Sequence, residues 1–239
     1  MIHIPYNKEW KNIAISVSGG ADSALLAYLV CNSVTEQKHS DTVIHFISHK
    51  RMWKTRPWQS YDSLNVYTWF LKKFPTIQFF RHTNFIAPDI EYGKTGPNLV
   101  DEYGKKVSGD NIQQRSFAEY ICFSENVNAY YNGVTRNPKL AMFNGMCERD
   151  IDPTDENRHL ERMTYMGVEV LHPFRFIDKS EIVKTYKELN LLNLFEITRS
   201  CEGEFNGIDY TKYTPGQYVP ICGKCFWCKE REWACEQSK

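Results

Sequence analysis

Ser18-Gly19-Gly20-Ala21-Asp22-Ser23 brings together, in six residues, the groups needed to hold a polyanion. The segment follows an apolar run, Ile13-Ala14-Ile15-Ser16-Val17, and opens a stretch of helical character, Ala24-Leu25-Leu26-Ala27-Tyr28-Leu29-Val30. A loop between a strand and a helix start offers free backbone N–H groups and the positive end of the helix dipole to an anion. Gly19 and Gly20 let the backbone approach it closely. Ser18 and Ser23 add hydroxyls. Asp22 would repel a phosphate, and it makes sense there if it holds Mg2+ between itself and the phosphates. No Gly-Lys-Ser/Thr follows the glycines, so this is not the common nucleotide loop.

A second cluster lies near the other end: Cys222-Gly-Lys-Cys225-Phe-Trp-Cys228. Cysteines at every third residue of a tight turn can place three thiolates on one metal, and a closed zinc site needs a fourth. Cys201 is the best candidate and Cys235 the runner-up. Zinc is the leading reading; iron–sulfur ligation and a sulfur-carrying cysteine stay open on spacing alone. Four thiolates on zinc would contribute on the order of 10 kcal/mol to local folding and pin the tail to the body. Cys31 and Cys122 have no such spacing and read as core thiols, and Cys147 falls in an unassigned loop.

The elements that must position these groups are legible from periodicity. The chain has 239 residues, enough to bury a sizeable core. Strand-like runs at 12–17, 42–48 and 77–81 alternate with helical patterns at 22–32 and 58–74, followed by a helix at 112–126 and a strand at 128–135. That order implies a parallel sheet with helices on both faces. Residues 82–110 and 137–155 read as loops, 155–165 as a helix and 168–171 as a short strand. A further helix starts at Asp178-Lys179-Ser180-Glu181, with Asp178 as its cap. The end of the 128–135 strand, Gly133-Val134-Thr135, is expected at the same sheet edge as the 18–23 loop.

Composition narrows the function classes. There are 29 basic and 29 acidic residues, so the formal net charge is zero. That argues against bulk electrostatic binding of nucleic acid. No apolar run has the length of a membrane span, and the start of the chain lacks signal-peptide character. A cytoplasmic protein with reduced thiols is expected, in which eight cysteines point to metal or catalysis.

The hexapeptide after an N-terminal strand resembles the motif of the PP-loop ATP pyrophosphatase superfamily, whose members split ATP between its α- and β-phosphates. Within that group, the ordered occurrence of His172-Pro173-Phe174, Asp178-Lys179-Ser180-Glu181-Ile182, Thr198-x-Ser200-Cys201 and Cys222-Gly223-x-Cys225-x-x-Cys228-x-x-Arg231 is similar to the 7-cyano-7-deazaguanine synthase family. Gln114-Arg115-Ser116 falls where that family has an Arg-Asn pair, and Gly133-Val134 where it has Gly-Val. The resemblance implies a doubly wound, parallel-sheet PP-loop (adenine nucleotide alpha hydrolase-like) α/β domain over residues 1–200. A four-cysteine zinc segment over 201–239 would pack on it.

It further implies an AMP-forming ligase acting on 7-carboxy-7-deazaguanine, with ammonia as co-substrate and ATP, Mg2+ and Zn2+ as cofactors. ATP adenylates the carboxylate, ammonia displaces AMP, and a second adenylation and elimination give the nitrile. Ser18, Gly19, Gly20, Asp22 and Ser23 are implied for pyrophosphate and Mg2+, with Arg115 and Lys179 as candidate catalytic cations. Cys201, Cys222, Cys225 and Cys228 are implied for the metal. His49, Lys50 and Arg51 follow the second strand where an adenosine loop would sit. The partners are small molecules, with a homodimer compatible. The chain departs from the family at Thr135-Arg136-Asn137-Pro138-Lys139-Leu140, at Ser48-His49-Lys50, and in the 20 residues between Cys201 and Cys222. Three alternatives remain: a divergent amidating ligase with another substrate, a tRNA-thiolation enzyme with a Cys-bound metal, and a non-catalytic nucleotide-binding protein.

Overall fold

In the computed structural model, residues 2–37, 41–51, 58–86, 109–136, 138, 162–201 and 221–238 are described. Six strands form one sheet: β1 (Asn12–Ser16), β2 (Val43–Arg51), β3 (Gln78–Ile86), β4 (Ala129–Tyr131), β5 (Arg162–Tyr165) and β6 (Val168–Leu171). The helices are α1 (Ala21–Glu36), α2 (Gln59–Lys73), α3 (Gly109–Ser124), α4 (Lys179–Glu188), α5 (Leu192–Glu196) and α6 (Phe226–Gln237). The strand order is β3-β2-β1-β4-β6-β5, parallel except for the β5–β6 pair. Order reverses between β1 and β4, which opens a crevice beyond their C-terminal ends.

Alternation along the strands builds a core on each face. Ile13, Ile15, Ile44 and Phe46 face α1, α2 and α4, against Leu25, Leu26, Phe70, Ile182 and Tyr186. Ala14 and Ile47 face the other way, against Ala118, Ile121 and Cys122 of α3. Cys31 is buried in the first of these cores and Cys122 in the second. A third cluster joins Val183 of α4 to Phe226, Trp233 and Ala234 of α6. The C-terminal helix therefore lies on α4. No helix among the described residues is long and apolar enough to cross a membrane.

Three expectations change. Residues 162–165 are strand, not the end of a helix. Met166 (φ 49°) and Gly167 (φ 81°) form a two-residue turn with both φ positive, which folds β5 back on β6. β2 and β3 run on to Arg51 and Ile86, because they pair with each other along their whole length. β4 stops at Tyr131, after which the chain leaves the sheet and Arg136 N–H donates to Ile177 O (2.8 Å). The 82–110, 137–155 and 155–165 readings and Cys147 fall largely or wholly outside the described residues.

Candidate functional site

The 18–23 loop is held from within and from both sides. Ser23 Oγ donates to Gly20 O (3.1 Å) and accepts from Ser18 N–H (3.2 Å), and Gly20 N–H donates to Ser18 Oγ (3.3 Å). The Ser23 hydroxyl is thus turned into the loop. Gly19 has φ +82°, and a Cβ there would lie 2.7 Å from Asp62 Cβ and 2.7 Å from Ser63 N. Only glycine allows both that backbone and that approach of α2. On the β4 side, a Cβ on Gly133 would meet Ser23 Cα and N at 3.2 Å, so Gly133 lies against the loop. Tyr186 Oη donates to Ala21 O (2.7 Å), which fixes the start of α1.

Four helices begin at one cavity of about 110 Å3. Its lining includes Gly20 and Asp22 at the start of α1, Trp58, Gln59 and Asp62 at the start of α2, Lys179 of α4 and Trp227 of α6. Gly20, Trp58 and Cys225, the residues preceding α1, α2 and α6, make no side-chain cap. Converging helix starts concentrate positive potential, so the cavity suits an anion. The 198–201 segment closes one wall. Arg199 N–H donates to Gly19 O (2.9 Å), Trp58 Nε1–H donates to Cys201 O (3.2 Å), and the Arg199 guanidinium stands 4.4 Å from the Trp58 ring centre.

Lys179 and Asp22, 157 positions apart, meet here. Lys179 Nζ donates to Asp22 Oδ2 and lies 3.6 Å from Glu230 Oε2. Lys179 is 3% exposed. Burial alone would lower its pKa, but Asp22 and Glu230 outweigh it and hold the ammonium above its usual value. Asp62 is raised to about 7 by burial, against the opposing pull of Arg199. Among the described residues, Asp22 Oδ1, Gln59 Oε1 and Ser200 Oγ are buried without a hydrogen-bond partner, and all three residues line the cavity. Buried polar atoms of this kind call for a partner, which a water, an ion or a ligand can supply. An anionic oxygen with no donor suits a divalent cation.

Beside the cavity, the Sγ atoms of Cys201, Cys222, Cys225 and Cys228 all lie within 4.8 Å of one another. Cys222 Sγ and Cys228 Sγ are 3.9 Å apart. One tetrahedral ion with metal–sulfur bonds of about 2.3 Å spaces its sulfurs about 3.8 Å apart. A four-iron cubane holds its cysteine sulfurs roughly 6 Å apart. The cluster fits a single ion. Backbone N–H groups of Lys224 (3.4 Å) and Cys225 (3.3 Å) donate to Cys222 Sγ, and that of Cys222 donates to Cys201 Sγ (3.4 Å). The Cys201 and Cys228 thiols are held above their ordinary range, chiefly by hydrogen bonds to Cys225 and Cys201 respectively. A cation replacing those protons removes the penalty. Arg231, three residues on, donates to Thr198 O (3.0 Å) and Phe195 O (2.8 Å), tying α6 to the 198–201 wall. Cys235 lies on α6, outside the four-sulfur group.

The structure therefore brings Ser18, Gly20, Asp22, Lys179 and Cys201 to one cavity. Gly19 supports it from behind, and Cys222, Cys225 and Cys228 adjoin it. Arg115 is elsewhere: it pairs with Glu119 (3.0 Å) on α3, 5.6 Å from the Tyr165 ring centre. His49, Lys50 and Arg51 are the last residues of β2 rather than a loop, with the His49 ring against Phe117. Sequence reasoning misses Trp58, Gln59, Asp62, Arg199 and Glu230. Glu230 alone leaves a local signal, since it interrupts an apolar stripe of Phe226, Trp233 and Ala234.

No protein-family model matches the chain, and no curated protein matches it significantly. Solved structures do. A 4-thiouridine synthetase in complex with RNA and ATP aligns with a TM-score of 0.51 and 15% identity, over 95% of this chain and 50% of that one. The U34-tRNA thiolase of Methanococcus maripaludis, solved with its 4Fe-4S cluster, gives 0.48 and 14% over 83% and 61%. The phosphoadenylyl-sulfate reductase of Candida auris, a phosphate complex, gives 0.39 and 11% over 81% of each chain. The chain thus spans less than two thirds of the synthetase and of the thiolase. At 15% identity, the likeness to the synthetase is one of fold. The fold class is the mostly parallel, PP-loop (nucleotide alpha hydrolase-like) α/β sheet that the hexapeptide implies.

Proposed function

We propose that the chain is an ATP-dependent, AMP-forming ligase that activates a carboxylate and passes it to ammonia. The observation that carries this reading is the Asp22–Lys179 pair at the mouth of the 18–23 loop, with Asp22 Oδ1 left orphaned. The loop has no lysine of its own, and Lys179 supplies that cation from α4. Mg2+ bound at Asp22 would neutralise charge on the β- and γ-phosphates.

A carboxylate is a poor electrophile because its leaving group would be oxide. Its oxygen attacks the α-phosphorus of ATP, the bond to the β-phosphate breaks, and pyrophosphate leaves. The helix-start N–H groups and Lys179 stabilise the charge that develops on pyrophosphate. Ammonia then forms the C–N bond and AMP departs. A second round of activation and elimination turns the amide into a nitrile. The cysteine cluster would hold one zinc ion, which supplies rigidity where the 198–201 wall meets α6.

The substrate we propose is 7-carboxy-7-deazaguanine, supported by the Thr198-x-Ser200-Cys201 and Cys222-Gly223-x-Cys225-x-x-Cys228 signature. The thiolation reading requires an iron–sulfur cluster or a sulfur-carrying cysteine, and the tight sulfur spacing favours a single ion instead. The test is incubation with ATP, ammonia and 7-carboxy-7-deazaguanine, followed by mass spectrometry. The nitrile is expected. ATP turnover without nitrile removes this substrate, and iron in place of zinc removes the metal assignment.

A further inference from the structure

Glu230 is 2% exposed, on the face of α6 that otherwise buries Phe226, Trp233 and Ala234. A carboxylate in an apolar seam is strongly disfavoured unless it meets a cation. Glu230 meets Lys179 at 3.6 Å, while the same ammonium donates to Asp22 Oδ2. One ammonium is thus shared between two carboxylates, and the Arg231 guanidinium adds a second positive charge that acts on both Lys179 and Asp22. With Glu230 drawing on Lys179, Asp22 is only partly neutralised and its Oδ1 stays available to a cation. If Lys179 answered to Asp22 alone, that oxygen would attract a cation less.

Glu230 also lies two residues past Cys228, on the helix that Cys225 precedes. The thiolate cluster therefore sets where α6 begins, and α6 sets where Glu230 meets Lys179. Arg231, the next residue, fixes the same turn to Phe195 and Thr198.

We propose that Glu230 is a positioning residue of the nucleotide site, sharing Lys179 with Asp22 and thereby making Mg·ATP binding depend on the metal in the cysteine cluster. The inference rests on the nucleotide-site reading above, and names Glu230 as the link between the two centres.

The experiment is binding of a non-hydrolysable ATP analogue with Mg2+ to the full chain, followed by calorimetry and by fluorescence of Trp58 and Trp227, which line the cavity. Zinc content is measured on every sample. Glu230→Gln is expected to keep its zinc, to bind about tenfold more weakly, and to need more Mg2+ for half-saturation. Removing zinc is expected to weaken wild-type binding about tenfold and to weaken the Glu230→Gln variant much less, because the link is already cut. Glu230→Asp should recover part of the loss. Wild-type affinity and Mg2+ dependence in zinc-retaining Glu230→Gln would overturn the proposal while leaving the nucleotide site standing. Equal sensitivity to zinc removal in both proteins would overturn the coupling. Failure of the wild-type protein to bind the analogue would overturn the nucleotide-site reading and this inference with it.

Discussion

Replacing Gly19 with alanine separates two costs that the structure assigns to one atom. At φ +82° a Cβ meets the following carbonyl, which costs roughly 1–2 kcal/mol. The same Cβ would stand 2.7 Å from Asp62 Cβ and 2.7 Å from Ser63 N. The backbone nitrogen of a helix cannot rotate away, so α2 or the loop must shift, at about 1–3 kcal/mol. Together the loss is about 2–5 kcal/mol, which for a chain of this size lowers Tm by roughly 5–15 °C. Gly167 provides the internal control. Its φ is +81°, but a Cβ there meets nothing within 4 Å, so Gly167→Ala carries the backbone cost alone. Thermal and denaturant melts of both variants beside wild type measure the difference. Gly19→Ala is also expected to lose ATP binding while Gly167→Ala keeps it. Equal destabilisation of the two variants would refute the close packing of α2 on the anion loop, and with it the geometry of the cavity.

Lys179→Met should cost about 3–5 kcal/mol, because it leaves the Glu230 carboxylate buried beside Asp22 without the ammonium they share. Adding Glu230→Gln should restore part of that loss in a denaturant-melt double-mutant cycle. Asp62 titrates near 7 in the folded chain and near 3.9 unfolded. The folded state therefore binds the extra proton between those values, and stability falls as pH rises from about 4 to about 7, by on the order of a few kcal/mol. Asp62→Asn should flatten that fall in Tm, and an unchanged pH profile would refute the assignment. Cys201→Ser should lose the metal and lower Tm, whereas Cys235→Ser should retain one zinc per chain by elemental analysis.

The β1–loop–α1 unit is legible because strand, turn and helix signals agree over consecutive residues. The four-cysteine group is legible for the same reason, three of its members being local. Lys179 is legible as a helix start but not as a buried group, since its burial depends on α6 returning across α4. Arg199 meets Trp58 and Asp62, which share one helix start, only through tertiary structure, and nothing in their neighbours announces it. Glu230 has a local signal, a carboxylate in an apolar stripe. Residues 162–165 carry one too, because Met166-Gly167 between two short runs suits a tight hairpin turn. The Arg115 motif position matches by order along the chain, yet the helix directs that side chain to Glu119 and Tyr165.

In the proposed function, this cavity directs cleavage of ATP between its α- and β-phosphates. Phosphorus NMR of the full chain with Mg·ATP, ammonia and 7-carboxy-7-deazaguanine reads that cleavage from its products. AMP and pyrophosphate are expected in equal amounts, and neither from Asp22→Ala protein that remains folded by circular dichroism. ADP and inorganic phosphate as products, or AMP formation undiminished in Asp22→Ala, would contradict it.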